Sequence, residues 1–240
     1  MAETGLEIEW LGLRRYEETL ERQRTLVKER IEGRIGDRLL LLEHHPIITI
    51  GSGGDRGQVR ASAYELRHAD VPVLPTERGG GATLHGPGQL VAYPIIDLRA
   101  ERDLHGYLRR LETAIIATLA EFDISGETRA GLTGVWVGPA KIASIGIRVR
   151  GWVASHGLSI NIANDLKLFD LIDQCGLAGV RATSIREVAG NAPPIEDVAC
   201  FFAERFGAVF GYKGSVMRTE NLLSTPLRDC GLHLTSRGEI

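Results

Sequence analysis

The sequence predicts a single mixed α+β domain. Three long stretches carry apolar residues at helical spacing, a central stretch alternates with period two, and no repeat, low-complexity tract or linker divides the 240 residues. One hydrophobic core can still span a chain of roughly that length. Tyr16, Leu20, Val27 and Ile31 stand among alternating charges and stop at Gly33, so a surface helix is expected there. Residues 39–42 and 47–50 read as two strands broken at Pro46, and residues 71–74 as a short third. Residues 51–57 and 78–89 are glycine-rich loops, the second leading into the apolar run 90–98. Leu104, Leu108, Leu111, Ile115, Leu119 and Phe122 step by three or four and form one apolar stripe, a helix that packs on a sheet. From Val135 to Ile162 the alternation of Ile145, Ile147 and Val149, a turn near Gly151, then Leu158, Ile160 and Ile162 gives a β-meander. Ser184 with Glu187 is a capping box opening a short helix, and Pro193 and Pro194 precede a last helix through Ile195, Val198, Phe202, Phe206 and Val209. Residues 1–217 are expected to form the domain and residues 218–240 an irregular tail.

Composition narrows the function. Lys+Arg 28 against Asp+Glu 31 leaves a net charge of −3, with no overall electrostatic reason for nucleic-acid binding. Cys175, Cys200 and Cys230 form no C-x-x-C pair, which fits free thiols in a reducing cytoplasm, and neither a signal peptide nor a membrane span is expected. Gly51 and Gly53 meet Arg56 where a dinucleotide fingerprint needs glycine, and there is no P-loop. No histidine spacing suits a metal, and the adjacent His44 and His45 would point opposite ways on a strand.

Arg78, Thr83, His85 and Gln89 thread polar groups through glycines whose backbone N–H groups can approach a ligand closely. His156 reads equally as a structural or a catalytic histidine, and Cys175, just before Gly176, as a packed or a reactive thiol. Lys141 is one of four lysines against 24 arginines. Lysine can lose its proton inside a protein and arginine cannot, so a base would have to be lysine; a solvated lysine on a hairpin is the plain alternative.

Together these residues resemble the lipoyl(octanoyl) transferases. The resemblance covers most of residues 38–185: Thr49 and Gly51; Arg78-Gly-Gly with Thr83 and His85-Gly-Pro-Gly-Gln89; Lys141-Ile-Ala-Ser-Ile-Gly146; His156-Gly-Leu158; Phe169, Ile172, Cys175 and Gly176; then Thr183 and Ser184. Gln174 departs from the proline usual in the family. The resemblance implies the catalytic fold of the biotin and lipoate ligases, with Cys175 as nucleophile and Lys141 as its partner base. Substrate would be held by Arg78, Gly79, Gly80, Gly81, Ala82, Thr83, Leu84 and His85, by Ser144, Ile145 and Gly146, and by His156, Gly157, Leu158 and Ser159. It further implies octanoyl-acyl carrier protein as donor, and as acceptors the lipoyl domains of 2-oxoacid dehydrogenases and the glycine cleavage H protein. No cofactor or metal is implied, because the acyl group arrives already activated as a thioester. An ATP-dependent lipoate or biotin ligase would share the fold without needing Cys175, and a non-catalytic lipoyl-domain binder would need neither residue. Arg148 and Arg150, with Arg109 and Arg110, are candidates for docking the acidic carrier or for an ordinary solvated face.

Overall fold

The structure, a computed structural model, describes residues 5–173, 180–213, 215–219 and 233–236. Its first element is β1 (Leu6–Arg14), where Leu6, Ile8 and Trp10 are buried and alternate with Glu7 and Glu9. That period-two signal lay in the sequence, among acidic residues that obscured it. Helix α1 (Tyr16–Ile31) follows, then β2 (Arg38–His44), which pairs parallel with β1.

β2 lies between β1 and β6 (Gln89–Ile95), so both of its edges are paired, and all of Leu39 to Leu42 are buried on its two faces. Leu39 and Leu41 enter the main core with α3 (Leu104–Ala120) and α5 (Ile195–Phe210). Leu40 and Leu42 enter a separate core with Val91, Tyr93 and Leu26 of α1. A continuous apolar run thus serves two layers. Replacing one of these leucines by alanine should cost about 2–5 kcal/mol.

The large sheet continues through β10 (Val153–Asn161), β9 (Ala140–Arg150), β8 (Leu132–Val137) and β7 (Glu127–Arg129), joined by antiparallel pairings. On one face α3, capped by Asp103, packs against α5, which ends at Gly211 with φ +74°. Of the capping box expected at Ser184, one half forms: the Ser184 hydroxyl caps α4 (Ile185–Ala189) by accepting from the Glu187 N–H, while the Glu187 carboxylate accepts from the Thr183 hydroxyl at 3.0 Å instead of from the Ser184 backbone.

A small sheet, β4 (Val73–Pro75), β3 (Ile47–Ile50) and β5 (Ala82–His85), stands beside the large one. With helix α2 (Ala63–His68) and the turn Leu166–Leu171 it encloses a second core of Ile48, Leu66, Leu84, Phe169 and Ile172. At the far edge, β11 (Ser215–Thr219) pairs parallel with β1, and β12 (His233–Ser236) with β11. The expected irregular tail therefore contains strands, and the boundary drawn after residue 217 falls inside β11. The free N–H and C=O groups along the β1 edge supply the pairing, a tertiary cause that a short, weakly patterned segment does not announce.

Candidate active site

Where β8 stops, the sheet opens. β8 pairs with β9 only as far as Ala143. Past that point the loop of Arg78 and Gly79 crosses the β9 edge, the Gly79 N–H donating to the Ile147 carbonyl at 2.8 Å. The approach requires glycine on both sides, since a Cβ on Gly146 would stand 2.8 Å from the Gly79 carbonyl oxygen. The other glycine-rich loop zips onto the first: Ser52 N–H donates to Arg78 O at 2.8 Å and Gly53 N–H to Gly80 O at 3.1 Å. The two loops the sequence singled out form one unit.

That unit roofs a cavity open to solvent, about 420 Å³ of empty space with its mouth included. Of the predicted substrate residues, Arg78, Gly80, Thr83, His85, Ser144, Ile145, Gly146, His156, Gly157, Leu158 and Ser159 line it. Ala82 and Leu84 do not; both are fully buried in the second core and hold the loop from below. Gly81 is absent from its lining, and Gly79 lines a neighbouring cavity of about 770 Å³ together with Lys141, Leu108, Leu132 and Thr133. The two cavities share Gly80, Ile145 and Gly146, so the lysine's cavity abuts the inner one at the gap in the sheet edge. Tyr16 and Tyr93 also line the inner cavity, and sequence reasoning missed both. Tyr16 has the spacing of an ordinary core position, and nothing local marks it.

Arg78 is buried, its guanidinium fixed by Thr49: Nε and an Nη donate to Thr49 Oγ1 at 3.1 and 2.8 Å, and the same Nη to Thr49 O at 2.6 Å. Its charge bears on a cluster of neutral histidines. Burial, then His44, pushes His85 down to about 3 despite its bond to Gln89, with Arg78 and His156 adding to the depression. Burial and then Arg78 push His156 down to about 4, and burial likewise takes His44 to about 4.

The hydrogen bonds set the tautomers. Gln89 Nε2 donates to Leu84 O and to Asn161 Oδ1, leaving Gln89 Oε1 to accept from His85 Nδ1 at 2.8 Å. His85 therefore keeps its lone pair on Nε2. His44 donates from Nδ1 to Arg14 O and accepts at Nε2 from the Tyr93 hydroxyl at 2.8 Å. His44 is buried and His45 is not, as strand alternation requires. The network runs on from Asn161 Nδ2 to Thr183 O, and the Thr183 N–H holds the Lys141 carbonyl at 2.9 Å.

Lys141 is only 4% exposed. Its Nζ lies 4.9 Å from the centroid of the Trp136 ring, a cation–π distance. Gly134 of β8 makes the room: a Cβ there would stand 2.6 Å from Lys141 Cε and 2.6 Å from the Ala143 carbonyl oxygen. The Gly134 N–H donates in turn to the buried Glu112 carboxylate of α3 at 3.0 Å, and Glu112 also accepts from Arg109. A solvated lysine on a hairpin is therefore not what Lys141 is. The start of β9 bridges residues 181–183, with the Lys141 N–H donating to Arg181 O at 2.8 Å.

Cys175 lies outside the described residues. The described chain on its N-terminal side is anchored where Asp173 N–H donates to Gln58 O at 2.7 Å, and on its C-terminal side at the Lys141 bridge just given. Cys200, by contrast, is buried in the main core on α5. Arg109 is committed to Glu112, Arg110 to Glu101 and Arg148 to Glu77. Among the described residues no group of three or more His, Cys, Asp or Glu could hold a metal ion, and no helix is long and apolar enough to cross a membrane.

A loop-roofed cavity beside a buried lysine, set on the edge of a mixed sheet, defines a class. The fold matches that of Ta0514, a putative lipoate protein ligase from T. acidophilum, with TM-score 0.69 at 12% identity over 91% of this chain and 90% of that one. The family described as the lipoyl protein ligase A/B catalytic domain matches residues 15–207, and the chain belongs to it. Two curated octanoyltransferases narrow the assignment. That of Rubrobacter xylanophilus is 43% identical over 206 residues, 85% of this chain and 93% of its own, and that of Geotalea uraniireducens 43% over 222 residues, 91% and 94%. Within the class, the chain is thus a member of the octanoyltransferases and an acyltransferase.

Proposed function

We propose that this protein transfers an octanoyl group from octanoyl-acyl carrier protein to a lysine of lipoyl domains, in the cytoplasm, by way of a thioester on Cys175. The observation that carries the reading is the inventory of bases around the two joined cavities. His85 and His156 are depressed to about 3 and about 4, too weak as bases to accept a proton from a thiol or an ammonium near neutral pH. Arg78 does not give up its proton. Lys141 remains, in the cavity that shares Gly80, Ile145 and Gly146 with the inner one.

In the first half-reaction the Cys175 thiolate attacks the donor's thioester carbonyl. The tetrahedral intermediate collapses, the carrier's thiol leaves, and the Cys175 proton reaches that thiol by way of Lys141. In the second, Lys141 as neutral amine removes a proton from the acceptor lysine, whose nitrogen attacks the acyl-enzyme; an amide forms and Cys175 is released. The octanoyl chain lies in the inner cavity against Ile145, Leu158, Tyr16 and Tyr93. One thioester replaces another and an amide then replaces a thioester, so no nucleotide, metal or organic cofactor enters the balance. The catalytic unit in this reading is the domain expected over residues 1–217, extended to the end of β11. The acceptors in this reading are the lipoyl domains of 2-oxoacid dehydrogenases and the glycine cleavage H protein, as the resemblance to the lipoyl(octanoyl) transferases implies; the names of the relatives support the octanoyl transfer itself.

The test is intact mass spectrometry after mixing with octanoyl-acyl carrier protein in buffer stripped of nucleotide and divalent metal. One octanoyl adduct should appear on Cys175, vanish in Cys175→Ser and persist in Cys200→Ser. An absolute requirement for ATP would instead assign the protein to the ligases.

A further inference from the structure

We propose that Gln23 and His156 form the wall that limits acyl-chain length, an inference that rests on the octanoyl-transfer reading and extends it to the donor's tail. Two cavities lined by described residues adjoin the inner one. It shares Gly80, Ile145 and Gly146 with the cavity that holds Lys141, which makes that side the thioester end. It shares His156 alone with a third cavity, of about 370 Å³, lined by Gln23, Arg24, Glu77, Arg148 and Arg150. His156 therefore stands between the chamber that holds Ile145, Leu158, Tyr16 and Tyr93 and one whose wall carries three arginines beside Leu20 and Val27.

The partition is built by the backbone and by α1. Strand alternation places residue 156 with Ala154, Leu158 and Ile160, which all face the main core. His156 instead adopts φ +54°, and its ring stands edge-on to Tyr93 at 6.4 Å on the α1 side of the sheet. Gln23 secures it: its Oε1 accepts the His156 N–H at 2.8 Å, across 133 residues of sequence. That bond turns Gln23 Nε2 away, and neither it nor His156 Nδ1 has a hydrogen-bond partner among the described residues. Both residues are buried, at 2% and 3% exposed. A buried imidazole and carboxamide, where an apolar pair would pack as well, point to a role in the cavity rather than in the core. A neutral imidazole and a carboxamide stop an alkyl tail by filling space. A longer tail would have to displace them and enter among Arg24, Arg148 and Arg150, where methylenes gain nothing from leaving water.

The test uses two variants that open the wall from opposite sides. His156→Gly removes the ring and suits the left-handed φ, and Gln23→Ala removes the support behind it. Two readouts are taken on each protein: kcat/KM for octanoyl- and dodecanoyl-acyl carrier protein, and calorimetric Kd for free octanoate and dodecanoate. Wild type should favour the eight-carbon chain in both, and each variant should raise the dodecanoyl-to-octanoyl ratio by at least about ten-fold in both, as expected for pocket contacts of a few methylenes. Wild type binding the two acids alike, or folded variants whose ratios stay within about two-fold of wild type, overturns the proposal. Wild type that selects octanoate but transfers no acyl group refutes the transferase reading and leaves the wall standing.

Discussion

Replacing Lys141 by arginine separates charge from proton transfer. The side chain is 4% exposed, and the Gly134 backbone sits so close that even one added methyl there would reach within 2.6 Å of Lys141 Cε. A guanidinium is wider than an ammonium, so the variant is overpacked, at about 1–3 kcal/mol of stability. For a chain of this size that is a fall of roughly 2–4 °C in Tm per kcal/mol, so the variant should still fold. Loss of a general base costs about 10² to 10⁴ in rate. At about 1.36 kcal/mol per ten-fold this is roughly 3–5 kcal/mol on the barrier of the aminolysis step. Acylation of Cys175 should suffer less, because the retained cation still favours thiolate. The assay follows the half-reactions separately by mass spectrometry: adduct formation on the enzyme, then its disappearance on adding lipoyl domain. Lys141→Met, unbranched and uncharged, is run beside it and should lose both steps. Near-wild-type transfer from pre-formed acyl-enzyme by Lys141→Arg would refute Lys141 as the base.

Gly134→Ala should impair the same step without touching a titratable group. Its φ of +128° disfavours a side chain, and the new methyl meets both Lys141 Cε and the Ala143 carbonyl. A displacement of the amine by about 1 Å would cost about 10² in kcat, and strain would cost about 1–3 kcal/mol of stability; unchanged turnover sinks the argument. The three buried histidines should make the fold acid-sensitive. His44, His85 and His156 are lowered from 6.5 to about 4, 3 and 4. Their contribution is fully present above the unfolded value of 6.5 and is lost as pH falls toward 4, because the unfolded chain binds the protons first. Each histidine should remove on the order of 1 kcal/mol per pH unit, so Tm should decline steadily below pH about 6.5. A flat Tm between pH 7 and 5 would contradict their burial.

How much of this was legible in sequence differs by element. The stripe from Leu104 to Phe122 and the meander from Val135 to Ile162 appear as α3 and as β8, β9 and β10, because each periodicity is a local property of one apolar face. The first strand was legible in Leu6, Ile8 and Trp10 and went unread. The loop of residues 78–89 was recognisable as a candidate site from the polar side chains threaded through its glycines, and residues 51–57 only as a loop. Their mutual zippering was not, since the partners of Gly51 and Gly80 lie some thirty residues apart.

The sequence by itself determined the α+β class, the two helical layers and the residues able to do chemistry, because these follow from side-chain type and local period. Only the tertiary structure decided which of them meet. It placed Tyr16 of α1 and Tyr93 of β6 in one cavity, committed Ala82 and Leu84 to a second core, and moved His156 off the face its alternation assigns. It also turned Lys141 from a hairpin residue into a buried amine between Trp136 and Gly134. The physical reason is that a cavity is bounded by groups from distant parts of the chain, and its electrostatics follow from who is buried beside whom. Neither quantity exists until the sheet edge, the loops and α1 close on one another.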